Sequence, residues 1–432
     1  MSYRRQVPLS DSDLPAVEMP STKGPSANEP GTKQPGVAGR REFIVLVTAL
    51  MASSALAIDL MLPAFPKMRE EFNMPPDSTQ VGLIVTVFFF GLAVGPWLYG
   101  PASDRYGRRA PLFIGMSLYV VSAIVSAFAP SWGWVIVARF IWGLGAAAAR
   151  SLSTAMIRDR YEGNEIAQLM SSMVAIFLLV PILAPSVGAL LIRVAPWRIV
   201  FLFPAAVGLL LMLWCRRLPE TLAIERRRPF TWSAVSQAGK EVVTHRQTIS
   251  YTIAMTFLFG VMTTYLASSE VIVEDVYDYG SWFPLIFGAL ATIFAVNSLN
   301  NARIVKRLGI SRLLRVTSFV GVFTTSALVI VSFTSGGKPN FILFYVALAF
   351  VVPVAQGLIP NCNAAAMMPV PHVAGTATAI IGTVSTAGAA LLGSIATGFY
   401  DGTVRPFVLT IAVFIAIGVT FIMIGSSSRH ST

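Results

Sequence analysis

Few charged side chains occur where this chain is most apolar, so those few carry the chemical information. Asp59 ends the stretch "RREFIVLVTALMASSALAID", seven residues before Pro66, and Arg139 stands in "WGWVIVARFIW", seven residues after Trp132. An ionisable group in hydrocarbon costs at least ~2.5 kcal/mol even on a lenient insertion scale, so it normally faces a cavity and has a task. If both stretches are helices rising ~1.5 Å per residue, the two charges lie roughly 10 Å below one surface and can face each other. The chemistry open to such a pair is proton loading and unloading. Burial opposes a charged carboxylate, a nearby guanidinium favours it, and a change of access moves the balance. The alternative is a static ion pair that holds two helices together. Glu270, in "YLASSEVIVEDVYDYG", is a candidate second titratable site or a contact for cationic substrates. The favoured reading is blander and makes it one solvated member of an acidic rim with Glu274, Asp275 and Asp278.

The elements that must position these residues follow from composition. Of 432 residues, 55% are hydrophobic and only 12% are charged, which is far from a soluble core and close to a multi-span membrane protein. Twelve apolar runs of about the length a bilayer core demands occupy 43–65, 81–100, 112–129, 132–152, 169–192, 197–214, 249–271, 283–299, 313–333, 341–359, 376–397 and 404–424. An all-α membrane protein of twelve transmembrane helices is the expected fold class. Residues 1–41 read as a disordered tail, 42–216 as a first six-helix bundle, 217–247 as a polar linker with a surface helix near 235–243, 248–426 as a second bundle and 427–432 as a short tail. Six spans on either side suggest two parallel repeats around a central cavity.

Charge placement supplies orientation and excludes other classes. Arg40, Arg41, Arg105, Arg108, Arg109, Arg158, Arg160, the arginines at 226–228, Arg303, Lys306 and Arg315 fall on alternate connections, so these and both termini are expected in the cytoplasm. That pattern accounts for the net charge of +11 without any nucleic-acid partner. The twin arginine and Ala55-Leu56-Ala57 look like an export signal with a cleavage site, but cleavage after Ala57 would leave eleven spans and put the arginine-rich loops outside. Cys215 and Cys362 lie far apart, so neither a disulfide framework nor a metal site is expected. "GLGAAAARS" lacks the Lys and Ser/Thr spacing of a nucleotide loop, and no acid–base constellation accompanies Asp59, so no cofactor and no enzyme are expected. His372 reads as part of a helix start.

The stretch "GPASDRYGRRAPL" resembles the signature loop of the major facilitator superfamily, with Gly100, Asp104, Arg105, Gly107, Arg108 and Arg109 in the family's spacing. Gly100 would let helices approach, Asp104 would cap or salt-bridge a helix end, and the resemblance implies a latch between the two halves in the outward-facing state. "AIDLMLPAFPKM", "RFIWGLGAAAARSL", "IRDRY", "LPETL" and "PHVAGTATA" are similar to segments of the Bcr/CflA branch of drug:proton antiporters, which export bicyclomycin-like or phenicol-like compounds. The resemblance implies that Asp59 is the coupling carboxylate and Arg139 its partner. In the fifth span "VPILAPSVGALL" resembles the antiporter motif at Pro185 and Gly188 but has Val180, Ala184 and Ala189 where glycine is usual, which weakens antiport as an inference. Candidate walls of a cavity between the halves are Phe89, Phe90, Trp142, Tyr265, Asn297, Gln356 and Asn361. The implied function is proton-coupled efflux of small amphiphilic drug-like compounds across the inner membrane by a monomer. A proton-coupled metabolite symporter of the same fold and a transport-inactive receptor stay open.

Overall fold

A polypeptide out of reach of water must satisfy its backbone polar groups internally, and helices do this segment by segment. The computed structural model describes residues 39–227 and 232–427, with backbone only at 163, 164, 167, 226, 232–235, 238, 372, 374 and 375; no strand occurs among the described residues. Its helices are α1 (Arg40–Asp59), α2 (Phe65–Glu71), α3 (Leu83–Tyr106), α4 (Arg109–Ala127), α5 (Trp132–Arg160), α6 (Gly163–Val194), α7 (Ile199–Trp214) and α8 (Trp232–Thr244). There follow α9 (Arg246–Val271), α10 (Phe283–Leu308), α11 (Ile310–Thr334), α12 (Phe341–Met367), α13 (Ala374–Thr397) and α14 (Arg405–Ser427). Among the described residues twelve segments are long and apolar enough to cross a membrane; the first comprises α1 and α2 together, and α8 is the surplus helix of the connection.

Two helix groups are distinguished by packing. In the first, α5 is the hub against α3 and α4, with α7 on α4 and α1 on α5 and α6. In the second, α9 plays that part against α12, α13 and α14. Small residues permit the tight contacts: a Cβ on Gly145 would stand 2.5 Å from the Tyr119 backbone nitrogen, so α4 and α5 touch main chain to main chain. The groups meet along α3 with α13 and α6 with α10. Large apolar side chains such as Phe319, Phe323, Ile342 and Leu210 remain exposed on the outside of the bundle, as a lipid-facing surface requires.

Several boundaries differ from the sequence reading. The first span does not stop at 65 but breaks after Asp59 and resumes as α2 to Glu71. The cause is local. Pro63 has no N–H for the Asp59 carbonyl and Pro66 none for that of Leu62, so a 3-10 turn over Leu62–Ala64 replaces the α-helix. The second span likewise runs on to Tyr106, so Gly100, Asp104 and Arg105 are helical and the expected loop shrinks to Gly107 and Arg108. Arg40 and Arg41, assigned to the tail, begin α1, and the surface helix spans Trp232–Thr244 rather than 235–243. The tail up to residue 38, residues 228–231 of the linker and the terminal residues 428–432 lie outside the described residues. His372 lies in the 3-10 turn Pro371–Val373 ahead of α13, and its side chain is outside the description.

Candidate functional site

The break in the first span creates the site. Asp59 is the last residue of α1 and is 4% exposed. Its carboxylate takes no hydrogen bond or ion pair among the described residues, and it lies within electrostatic reach of Tyr265 on α9, in the other helix group. Tyr265 stacks on Phe287 of α10 with centroids 5.4 Å apart, and its buried hydroxyl has no hydrogen-bond partner among the described residues. The groups touch through an aromatic seam, where Phe89 of α3 stands edge-on to Phe259 of α9 at 5.5 Å. A carboxylate and a phenol, both buried and both short of partners among the described residues, therefore stand on the two different groups.

Arg139 is fully buried but does not pair with Asp59. Its Nη1 donates to the Ala57 carbonyl at 3.1 Å and its Nε to the Ile84 carbonyl at 3.3 Å, while the guanidinium lies 4.5 Å from the Phe88 ring centre and 4.7 Å from that of Trp142. The expected face-to-face pair is thus corrected. A helix that ends within hydrocarbon leaves carbonyls without donors, and a cation at that end answers both the missing hydrogen bonds and the negative end of the helix dipole. Arg139 caps α1.

The fifth-span motif meets the same break from the other side. A Cβ on Gly188 of α6 would collide with the Leu60 carbonyl group, whose carbon would lie 3.1 Å away, so only glycine lets α6 close on the residue after Asp59. Pro185 lies within the same helix, one turn earlier.

Of the expected cavity walls, Phe89 lies at the seam, Tyr265 stacks on Phe287 within electrostatic reach of Asp59, and Phe90 is half-buried. Trp142 does not reach it: it packs edge-on among Phe88, Tyr119 and Phe201 inside the first group, supporting Arg139. The three amides are engaged inside the second group. Asn297 donates to the Pro353 carbonyl at 2.8 Å, Gln356 to that of Leu258 at 3.1 Å, and Asn361 to that of Gly357 at 2.8 Å and to Asn301 Oδ1 at 3.0 Å. Those bonds tie α10 and α9 to α12.

At the arginine-rich end the signature residues form one network. Arg108 donates from Nη1 to Asp104 at 2.6 Å and to Ser103 at 2.7 Å, and from Nε to Asp159 at 2.9 Å. The Glu220 carboxylate of "LPETL" accepts from the backbone N–H groups of Arg108 at 2.8 Å, Arg109 at 3.2 Å, Thr221 at 3.0 Å and Leu222 at 3.1 Å. Burial acts to raise the Glu220 pKa, but those four donors outweigh it and leave the carboxyl below its ordinary value. For Arg108, burial acts downward and the Asp159 and Asp104 carboxylates outweigh it, holding the guanidinium above its ordinary value. Gly107 turns the chain with φ +89°, open to glycine at no steric cost. Gly100 does not act as expected here, because a Cβ on it would meet nothing within 4 Å. Arg105 lies over the Tyr106 ring at 5.2 Å, and Arg109 reaches the Arg216 carbonyl at 3.1 Å.

At the opposite end the groups are joined. Thr79 donates to the Thr397 carbonyl at 3.0 Å, and a Cβ on Gly82 would stand 2.9 Å from the Ala267 carbonyl oxygen. Glu270, expected in a solvated rim, is buried and ion-paired with Arg69 of α2; Glu274, Asp275 and Asp278 are the exposed acids. Nearer mid-span Trp97 donates to Thr383 Oγ1 at 2.6 Å, and Thr383 donates to the Ala93 carbonyl at 2.7 Å. Sequence reasoning missed Arg69, Trp97, Thr383 and Phe259. Arg69 sits in the polar stretch "PKMREEF" and looks like a loop charge, and the other three belong to runs rich in similar residues.

Comparison with known proteins agrees with this architecture. A bicyclomycin resistance protein homolog of Haemophilus influenzae is 26% identical over 383 residues, covering 87% of this chain and 94% of that protein. The multidrug transporter MdfA of Yersinia pestis is 28% identical over 267 residues, 60% of this chain and 63% of that protein. The crystal structure of a D-xylose-proton symporter superposes with a TM-score of 0.70 at 16% identity, covering 89% of this chain and 97% of that one. Residues 47–393 match the Major Facilitator Superfamily family as a whole, and with twelve membrane-length helices the chain belongs to that superfamily of multi-pass membrane transporters.

Proposed function

We propose that the protein is a proton-driven exporter of small, amphiphilic, drug-like compounds, working by alternating access across the inner membrane with its arginine-rich end and both termini in the cytoplasm. The observation that carries this reading is Asp59: a carboxyl buried without a hydrogen-bond partner among the described residues, where the first span breaks and the two helix groups meet. A lone carboxylate is costly in such a place, and its protonated form far less so. On this reading Asp59 carries a proton while the outer end is closed. Substrate arriving from the cytoplasm settles against Phe89, Phe259 and Tyr265 and displaces that proton, and a proton from outside restores it after release. Arg139 is a positioning residue, since it fixes the Ala57 carbonyl two residues before Asp59. Resistance-linked relatives support drug-like substrates, and the aromatic seam suits planar apolar ones.

One charge moved through 100 mV supplies ~2.3 kcal/mol, enough for roughly a 50-fold gradient of a neutral substrate. In everted membrane vesicles energised by respiration, uptake of a fluorescent amphiphile is expected to collapse with an uncoupler. Uptake is also expected to fall to the uncoupled level in Asp59→Asn while the variant inserts normally. Gradient-driven accumulation retained in Asp59→Asn refutes the reading.

A further inference from the structure

The first span continues past its break into α2, and α2 carries a charged contact that the proton chemistry of Asp59 does not use. The Arg69 guanidinium forks onto the Glu270 carboxylate of α9: Nη1 donates to Oε1 at 3.1 Å, Nη2 donates to Oε2, and Nε donates to the Ser78 carbonyl at 3.0 Å. Both side chains are buried, 4% and 3% exposed, and they come from different helix groups. Main-chain contact between Gly82 and Ala267 and the Thr79 bond to Thr397 close the same end around them. The regular part of α9 ends at Val271, one residue after Glu270, and a π-helical turn follows over Ile272–Val276. Such turns are frequent at functional sites. The other charges facing Glu270 are Glu274 and Asp275 of that turn, with Lys67 and Arg193 on the wall of a cavity of about 270 Å3 that Glu270 and Glu274 also line.

Resting on the alternating-access reading, we propose that Arg69 and Glu270 are positioning residues of the transport cycle: their ion pair latches the outer end shut and must part for the path to open outward, with the π turn as the hinge. The pair selects between states rather than gluing them. Inside a closed interface each charge is tolerable only because the other is present, and removing one strands its partner without water. Once the end opens, either charge is hydrated and needs no partner. Neutralising one member therefore penalises the closed state and leaves the open state alone. Neutralising or exchanging both removes that penalty.

The test is a distance measurement on the full chain in lipid nanodiscs. Spin labels are placed at Asp77→Cys and Ser281→Cys, exposed positions on either side of the closed end, with Cys215 and Cys362 replaced by serine. The unaltered pair is expected to give mainly the short distance. Glu270→Gln and Arg69→Gln are each expected to shift the closed-to-open ratio by about tenfold or more towards the long distance, as stranding a buried charge requires. The exchange Arg69→Glu with Glu270→Arg is expected to restore the short distance and substrate transport together. Single variants that keep the short distance, or an exchange variant as open as the singles, overturn the proposal. Should the single variants fail to insert, the exchange variant decides alone, because short distance supports the latch and long distance rejects it. Distances are read without substrate or proton gradient, so failure of Asp59 as the coupling group leaves this result standing.

Discussion

Replacing Arg139 by methionine separates a helix cap from an ion pair, because the two arrangements assign different costs to the same deletion. As a cap, Arg139 contributes two hydrogen bonds to carbonyls, at 3.1 and 3.3 Å, and lies over two rings at 4.5 and 4.7 Å. Interhelical hydrogen bonds in membranes average ~0.6 kcal/mol with a maximum of ~1.7, so the two are worth roughly 1–3 kcal/mol. The ring contacts add about 0.5–2 kcal/mol. Against that stands the desolvation of a buried guanidinium, several kcal/mol, which methionine does not incur. Arg139→Met is therefore expected to destabilise the protein by no more than about 2 kcal/mol, with Met filling the space above Phe88 and Trp142. An ion pair with Asp59 would instead cost about 3–5 kcal/mol when one partner is removed. Equilibrium unfolding in mixed micelles of the single variants Arg139→Met and Asp59→Asn and of the double variant closes the cycle. The cap predicts a coupling energy under about 0.5 kcal/mol, as for residues that share no contact. A coupling above about 1.5 kcal/mol refutes the reasoning and restores the pair.

Gly188→Ala is expected to abolish transport while leaving the chain inserted, because the added methyl meets the Leu60 main chain, which cannot turn aside; overpacking of this kind costs about 1–3 kcal/mol, and transport near the unaltered rate would show that α6 need not approach the break. Glu220 gives a pH dependence whose sign follows from its lowered pKa: a carboxyl depressed in the folded state contributes stability that is present above its unfolded value and lost as pH falls through its folded value. As pH falls below the ordinary glutamate range and through that lowered folded value, the Arg108 and Arg109 amides are therefore expected to lose protection relative to their intrinsic exchange rates by hydrogen–deuterium mass spectrometry, and in Glu220→Gln that protection should be low at every pH.

The spans were legible because the bilayer dictates length and apolarity strongly enough to be read residue by residue. Depth was legible too, since a helical rise converts residue counts into ångströms. Azimuth was not. Placing Asp59 and Arg139 at one depth says nothing of which way each points, and the proline pair that ends α1 turns the guanidinium from a counter-ion into a cap. Glu270 misled for a related reason. Its neighbours in sequence are solvated acids, while the residue that buries it lies 201 positions away, in a stretch whose own neighbours are polar. Trp142 and the three amides share the same defect as sequence signals: an aromatic or an amide in an apolar helix is equally suited to a ligand and to the next helix, and only the packing decides.

The proposed mechanism gains its economy from the segment between Asp59 and Arg69. The Ala57 carbonyl on Arg139 fixes the residues just before it, and Leu60 against Gly188, Lys67 on the Ile192 carbonyl and Arg69 on the Ser78 carbonyl and on Glu270 hold the segment itself. The ion pair with Glu270 reaches across to the other helix group, and the rest anchor the segment to its own. Two prolines, at 63 and 66, make the connection a pair of short stiff pieces rather than a continuous helix or a slack loop. A change of charge at Asp59 alters the cost of burying the middle of this segment, and stiffness carries any tilt that follows to Arg69. Proton release and outer opening would then be two readings of one lever, which predicts that Asp59→Asn, uncharged at every pH, holds the closed distance between the labelled positions whatever the outside pH.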